Sequence, residues 1–273
     1  MSEILLLQKD CEQFLIDLPE PYHLCVTSPP YGRLRKYKGY EWGWEKFVRL
    51  ASLLYQKAED GAVVVWVVGD ETKNGSESGD SFRQALHFKD VGFNLHDTMI
   101  YKKESPPLTH NRYEQKFEYM FVLAKGKPRH FNGLRAPAIY ARSSRKSCTM
   151  RQDSDDLGNR SARGVVQSTK LKGNVWEYGV GFNKSATDKL AHRHPAIFPE
   201  QLASDHIISW SNQGDLVIDP FLGSGTTAKM ASHHGRRFMG CDVSDEYLGI
   251  AKARIEAARQ GDEHSGATTD KGE

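Results

Sequence analysis

The sequence has few of the features that mark secreted, membrane-spanning or metal-stabilised proteins. Its four cysteines are scattered at Cys11, Cys25, Cys148 and Cys241 without a Cys-x-x-Cys pair, so neither a disulfide framework nor a zinc site is expected. No apolar run reaches the roughly 18 residues of a membrane span, and the N-terminus lacks the charged-then-apolar pattern of a secretory signal. We therefore expect a cytoplasmic protein with no membrane span and no bound metal.

Charge is unevenly distributed, although the net charge is only +2. Residues 125–193 hold 15 Lys/Arg against 5 Asp/Glu, whereas the rest of the chain holds 22 against 30. A basic block with aromatic residues inside an acidic body indicates a nucleic-acid surface, and a solvated surface insertion is the alternative. The block is rich in Ser, Arg, Gly and Asn and has no sustained periodicity, which predicts an insertion or small subdomain.

Outside the block, strand-like and helix-like patterns alternate. Val63–Val68 is continuously apolar, as a strand of a parallel sheet requires, and Trp44–Lys57 has helical spacing. Further strands are predicted at 4–7, 24–26, 95–101, 117–123, 216–218 and 237–241, and helices at 81–89, 200–210, 226–233 and 244–259. This alternation predicts an α/β fold with a mostly parallel, doubly wound sheet. The predicted divisions are a main domain from 1–124 and 194–260, an insertion at 125–193 and a disordered tail at 261–273.

The segment Thr27-Ser28-Pro29-Pro30-Tyr31 follows the apolar run before it directly. Two consecutive prolines fix two φ angles and keep the preceding residues extended, so a strand should end here in a stiff loop. The loop offers the Ser28 hydroxyl, backbone carbonyls and the Tyr31 ring. Such acceptors beside an aromatic face suit the binding of a planar ring that carries an exocyclic amine.

A second chemical segment runs from Asp219 to Asp242. Gly223-x-Gly225-x-x-Ala228 satisfies the dinucleotide fingerprint, and Asp242 is spaced to bind ribose hydroxyls. No Gly-Lys-Ser/Thr follows, so it is not a P-loop, and NAD, FAD and S-adenosylmethionine all remain compatible with the turn. The Asp219 carboxylate favours the cationic S-adenosylmethionine, because an anion there would repel a pyrophosphate.

Together, TSPPYG and DPFLGSGTT resemble the S-adenosylmethionine-dependent DNA amino-methyltransferases, and their order resembles the permuted β group of that family. The resemblance extends over roughly residues 4 to 258. It implies a Rossmann-like methyltransferase fold with the block at 125–193 as target recognition domain. The cofactor contacts that it implies lie at Asp10, Cys11, Phe198, Asp219, Pro220, Phe221, Gly223, Ser224, Gly225, Thr226 and Asp242. Cationic positions that suit DNA contacts are Arg33, Arg35, Lys36, Lys38, Arg142, Arg145 and Lys146.

The catalytic residues expected from the stiff loop are Ser28, Pro29, Pro30 and Tyr31. The Ser28 hydroxyl and the Pro29 carbonyl would accept the amine N–H groups, while Tyr31 stacks on a base that has flipped out of the duplex. Methylation at cytosine C5 is disfavoured, since no cysteine follows a proline or lies in the loop. In the family, serine at this position is commoner in N4-cytosine enzymes and aspartate in N6-adenine enzymes, so cytosine N4 is favoured and adenine N6 is the alternative.

Two other function classes remain open on the sequence. A nicotinamide-dependent oxidoreductase would share the Gly-rich turn, and a catalytically inactive DNA-binding protein would share the basic block. For the favoured class, the expected partners are double-stranded DNA, a second copy of the chain and a cognate restriction endonuclease of a restriction-modification system.

Overall fold

The computed structural model describes residues 2–30, 42–104, 112–138, 148–151, 157–160, 167–181, 184–188, 190–193, 197 and 199–266. Its strands are β1 (Ile4–Gln8), β2 (Tyr22–Thr27), β3 (Ala58–Val68), β4 (Thr72–Lys73), β5 (Ser76–Glu77), β6 (Asn94–Lys103), β7 (Phe117–Ala124), β8 (Arg135–Pro137), β9 (Cys148–Arg151), β10 (Leu157–Arg160), β11 (Thr169–Leu171), β12 (Val175–Tyr178), β13 (Leu216–Asp219) and β14 (Arg237–Asp242). Its α-helices are α1 (Cys11–Ile16), α2 (Trp44–Lys57), α3 (Asp80–Val91), α4 (Glu200–Trp210), α5 (Thr226–His233) and α6 (Asp245–Gly266), and a 3₁₀ turn covers Leu190–Arg193. Across these residues, no helix combines the length and apolar character needed to cross a membrane.

The main sheet has the strand order β1-β14-β13-β2-β3-β7-β6-β12. Neighbours are parallel from β1 through to β3 and again between β6 and β12. Only β7 runs against both of its neighbours, β3 and β6. The sheet is therefore α/β and mostly parallel, as the alternating patterns predicted.

Helices cover both faces of this sheet. Along β3, the side chains of Val64, Trp66 and Val68 belong to one apolar core that also contains residues of α1, α2 and α3. Val63, Val65 and Val67 alternate with them and are equally buried, on the face where α4, α5 and α6 pack on one another. Burial on both faces explains why β3 reads as a continuous apolar run.

The chain divides into two compact units. The larger comprises residues 1–132 and 174–273, and the smaller comprises 133–173. The smaller unit contains two short antiparallel pairs, β8 with β11 and β9 with β10. This division is narrower than the insertion expected at 125–193, because β12 joins the main sheet beside β6. Trp176 and Tyr178 are buried residues of that edge strand.

Two further details differ from the sequence expectations. Helix α6 extends to Gly266, beyond the predicted end at 259 and into the tail expected to be disordered from 261, because a glycine such as Gly261 disfavours a helix by only about 1 kcal/mol. The predicted strand at 117–123 is present as β7, which runs antiparallel to both of its neighbours, β3 and β6. Hydrophobic content shows that a strand is buried and does not encode its direction.

Candidate active site

The predicted site residues converge at the carboxyl edge of the parallel strands. Asp10, Asp242, Asp219 and Ser28 follow or end β1, β14, β13 and β2, which are consecutive neighbours in the sheet. The chain proceeds outward through β14 on one side and through β3 on the other, so the strand order reverses between β13 and β2. Ligands of doubly wound sheets bind at such a switch point.

Asp219 connects the two halves of the site at this switch point. Its carboxylate is 1% exposed and accepts hydrogen bonds from the Thr27 hydroxyl at 2.6 Å and from the Phe221 amide at 3.0 Å. The Thr227 hydroxyl lies 2.9 Å from its other oxygen. Burial raises the pKa of Asp219 to about 6, although these hydrogen bonds oppose the rise. The residue therefore joins β2, the Gly-rich turn and α5.

Asp242 holds the glycine side of the same turn. Its two carboxylate oxygens accept from the Gly223 amide at 3.0 Å and the Ser244 amide at 2.9 Å, and burial raises the pKa of Asp242. A carboxylate offers about four acceptor positions, and this side chain is partly exposed. Acceptor capacity thus remains for a ligand diol, and ribose binding by Asp242 stays a prediction.

Asp10 and Cys11 lie where β1 enters α1. Asp10 caps α1 through the Glu12 amide at 2.9 Å, and its second oxygen pairs with Lys46 of α2 at 2.5 Å. The Cys11 side chain is 2% exposed and belongs to the apolar core. Of this predicted pair, Asp10 is the one whose side chain reaches the edge of the site.

An aromatic group borders the Gly-rich turn. The Phe221 ring is partly exposed and meets Trp42 edge-on at 5.1 Å, with Trp66 behind it at 6.3 Å. Sequence reasoning selected Phe221 and missed Trp42 and Lys46. No local pattern signals either residue: Trp42 precedes the first helix after the stiff loop by two residues, and Lys46 lies in the first turn of that helix.

The remaining residues of the Gly-rich turn are buried, and two of them are hydrogen-bonded to helix α6. Pro220, Gly223, Ser224, Gly225 and Thr226 are all buried. The Ser224 and Thr226 hydroxyls lie 3.1 and 3.3 Å from the Arg254 guanidinium of α6. Direct cofactor contacts by these two side chains stay a prediction, and the contacts observed are with α6.

Ser28 is partly exposed at the end of β2, and Pro29 and Pro30 beside it are buried. The stiff loop thus begins at the switch point, one residue from the bond between Thr27 and Asp219. Several predicted residues lie outside the described part of the chain: Tyr31, Arg33, Arg35, Lys36, Lys38, Arg142, Arg145, Lys146 and Phe198.

A family model described as DNA methylase, of the N6/N4 type, matches residues 22–253. The chain belongs to this DNA methylase family. It is 49% identical over 235 residues to the orphan methyltransferase M.BamHII of Bacillus amyloliquefaciens, covering 85% of this chain and 88% of that protein. Among solved structures, the cytosine-N4-specific PvuII DNA methyltransferase aligns with a TM-score of 0.69 at 19% identity, over 95% of this chain and 91% of that one. The M1.HpyAVI complex with S-adenosylmethionine aligns with a TM-score of 0.60 at 19% identity, over 92% and 98%.

As a DNA methylase of the N6/N4 type, the chain is an S-adenosylmethionine-dependent DNA amino-methyltransferase with a Rossmann-like fold. The resemblance inferred from the two motifs is confirmed. The nicotinamide-dependent oxidoreductase is therefore the wrong alternative, because the family match is to DNA methylases; the glycine fingerprint had suggested it because several cofactors share that turn. Membership covers both amines and leaves the methylated base open.

Proposed function

We propose that this DNA methylase methylates the N4 amine of cytosine in double-stranded DNA. The observation that carries the proposal is Ser28, a neutral hydroxyl at the carboxyl end of β2 and next to Thr27, which bonds Asp219 of the cofactor turn. A hydroxyl can accept one amine N–H and can also donate to cytosine N3. Adenine N6 is the alternative target of the same reaction.

In this proposal the stiff loop prepares the amine. The lone pair of an exocyclic amine is delocalised into its ring, so the nitrogen is a poor nucleophile. The Ser28 hydroxyl and the Pro29 carbonyl accept its N–H groups and hold the nitrogen in a geometry that localises the lone pair. Pro30 stiffens the loop and Tyr31 stacks on the base, which has flipped out of the duplex. Alignment of the nitrogen with the methyl donor supplies most of the rate.

The edge of the sheet fits S-adenosylmethionine by its chemistry. When bound, this cofactor supplies an electrophilic methyl group. Asp242 has acceptor capacity for the ribose hydroxyls, and the exposed ring surface of Phe221 and Trp42 suits a sulfonium cation. Three carboxylates, at Asp10, Asp219 and Asp242, end or follow adjacent strands, which disfavours a pyrophosphate.

The wider setting is proposed on the same basis. The basic block at 125–193 is assigned to target recognition and the cationic loop beyond Ser28 to DNA contacts. A homodimer, a cognate endonuclease and a cytoplasmic location stay predictions. Because the relative from Bacillus amyloliquefaciens is an orphan methyltransferase, a chain of this kind does not require a partner endonuclease.

The methylated base can be identified directly. Plasmid DNA is incubated with the purified chain and S-adenosylmethionine, digested to nucleosides and analysed by mass spectrometry. N4-methylcytosine is expected because Ser28 is a neutral acceptor and donor. N6-methyladenine would refute the cytosine assignment and leave the family reaction intact.

Ser28→Ala, assayed in the same way, tests the role of the loop. We expect methyl transfer to be lost, while calorimetry shows S-adenosylmethionine binding close to that of the unaltered protein. Ser52→Ala, on α2, is the matched control, since that hydroxyl bonds only its own helix, at the Val48 carbonyl 3.1 Å away. Full activity of Ser28→Ala would contradict the assignment of Ser28.

A further inference from the structure

A buried network of charged side chains lies against the back of the Gly-rich turn. Its cations are Lys229 of α5 and Arg254 of α6, and its anions are Glu200 of α4 and Asp188 of the segment before the 3₁₀ turn. Arg254 is 0% exposed, and Lys229 and Glu200 are 8% and 7% exposed. Two positive and two negative groups balance, which satisfies the requirement that buried charges be paired.

The guanidinium of Arg254 connects this network to the turn. Its Nη1 donates to the Ser224 carbonyl at 2.6 Å and lies 3.1 Å from the Ser224 hydroxyl and 3.3 Å from that of Thr226. Its Nη2 donates to Glu200 at 2.7 Å, and its Nε lies 3.0 and 3.1 Å from the two oxygens of Asp188. The planar guanidinium of Arg254 therefore bonds the turn, Glu200 and Asp188 at the same time.

Hydrogen bonds also fix the side chains of Lys229 and Asp188. Lys229 donates to Glu200 at 2.7 Å, to Asp188 at 2.9 Å and to the Thr187 hydroxyl at 2.8 Å. Burial alone would raise the pKa of Asp188, but the bonds from Lys229 and Arg254 lower it to about 2. Asp188 is therefore an anion at neutral pH, and the fork of Arg254 cannot rotate without losing a partner.

Helix α6 also meets the turn through a second contact on the same face. A Cβ on Gly225 would lie 2.6 Å from the Cβ of Ala251, and Ala251 is one helical turn from Arg254. The turn is thus pressed against α6 at Gly225 and hydrogen-bonded to it at Ser224. Nothing in the cofactor motif itself specifies either contact.

We propose that Arg254 is a positioning residue that sets the conformation of the Gly-rich turn and thereby the affinity for S-adenosylmethionine. It acts through the Ser224 carbonyl and the Thr226 hydroxyl from the far side of the turn. Asp188 and Glu200 orient its guanidinium. The inference rests on the proposed cofactor site at this turn.

The test compares Arg254→Met and Arg254→Lys with the same two changes at Arg259. Arg259 lies on α6 as well, but it bonds the Ser232 hydroxyl and the Ser2 carbonyl. Calorimetric titration with S-adenosylmethionine should show at least about tenfold weaker binding for Arg254→Met, because a charged hydrogen bond to the turn is lost. Arg254→Lys should also bind more weakly, since a lysine cannot replace a planar fork. The Arg259 variants should bind as the unaltered protein does.

A charge-balanced variant separates positioning from stability. Arg254→Met leaves the buried Glu200 and the partly exposed Asp188 with Lys229 as their shared cation, and Arg254→Met/Asp188→Asn restores the balance of charge. We expect the double variant to regain thermal stability but not affinity for S-adenosylmethionine. Recovery of affinity together with stability would overturn the proposal, as would Arg254 variants that bind as the Arg259 variants do.

Asp242→Ala tests the underlying cofactor site separately. If it binds S-adenosylmethionine normally, the assignment of the site itself is wrong. If it loses binding while Arg254→Met keeps it, only the positioning role of Arg254 is refuted.

Discussion

At the scale of single residues, the contact between Thr27 and Asp219 connects the stiff loop to the Gly-rich turn. The two residues are 192 positions apart in sequence, yet the hydroxyl and the carboxylate lie 2.6 Å apart, and both side chains are buried. Any displacement of the turn is therefore transmitted to the residue that precedes Ser28. The contact holds two motifs that are distant in sequence beside each other at one edge of the sheet.

Thr27→Val should weaken this connection while preserving the shape of the side chain. The buried carboxylate of Asp219 loses one donor, which costs about 1–3 kcal/mol of unfolding free energy. The pKa of Asp219 should rise further, because the bond from Thr27 lowers it at present. Urea denaturation measures the first effect, and Thr98→Val on an exposed position of β6 is the control. Equal stability of the two variants would contradict the coupling.

The sequence predicted which residues lie at the candidate site better than it predicted the contacts between them. Asp219, Asp242 and Ser28 were identified from their motifs, and the parallel sheet brings all three to one edge. The role of Asp219 as a bond between β2 and α5 could not be predicted, because it depends on a partner that no local pattern indicates. Trp42 and Lys46 were missed for the same reason. Trp42 contacts the Phe221 ring and Lys46 pairs with Asp10, and both partners are distant in sequence.

At the scale of elements, α6 supports the turn from behind. Gly225 begins α5 with φ +80°, a left-handed conformation that a residue with a Cβ adopts only with strain. This φ angle is one reason for a glycine at position 225. The close approach of Ala251, 2.6 Å from where a Cβ would lie, is a second. Glycine at this position is thus required by helix packing as well as by the backbone angle.

Gly225→Ala should be more destabilising than its backbone angle accounts for. Gly75 has the same φ of +80° with nothing within 4 Å of the added Cβ, so Gly75→Ala should cost only the roughly 1–2 kcal/mol of a left-handed alanine. Gly225→Ala should cost more, because the turn or α6 must shift. Gly225→Ala/Ala251→Gly should recover part of the difference. Urea denaturation of the three variants measures this, and equal costs for the two single changes would refute the packing argument.

At the scale of the whole molecule, the fold class was predictable because burial on both faces imposes a recognisable pattern on the strands. The extent of the second unit was not predictable, since β12 is a strand of four residues whose buried positions alternate with exposed ones. Its side chains form a distal core with α4. The His206 ring stacks near Trp176 with 4.9 Å between centroids, and its Nε2 lies 3.3 Å from the Met120 sulfur.

This distal core should make the molecule sensitive to mild acid. His206 is fully buried, and burial lowers its pKa from 6.5 to about 3. Between these values the unfolded chain binds a proton that the folded chain does not, so the folded state loses stability as the pH falls below 6.5. The loss is about 1.4 kcal/mol per pH unit, or about 2 kcal/mol at pH 5.

His206→Leu removes this titration and should flatten the dependence of unfolding free energy on pH between 7.5 and 5. Asp219 acts in the opposite direction, since its raised pKa of about 6 makes the folded state bind the proton first as the pH falls. It is present in both proteins, so it cancels when urea denaturation of the variant is compared with that of the unaltered chain at each pH. Parallel pH curves for the two proteins would show that the pKa of His206 is the same in the folded and unfolded states, in contradiction to its apolar surroundings.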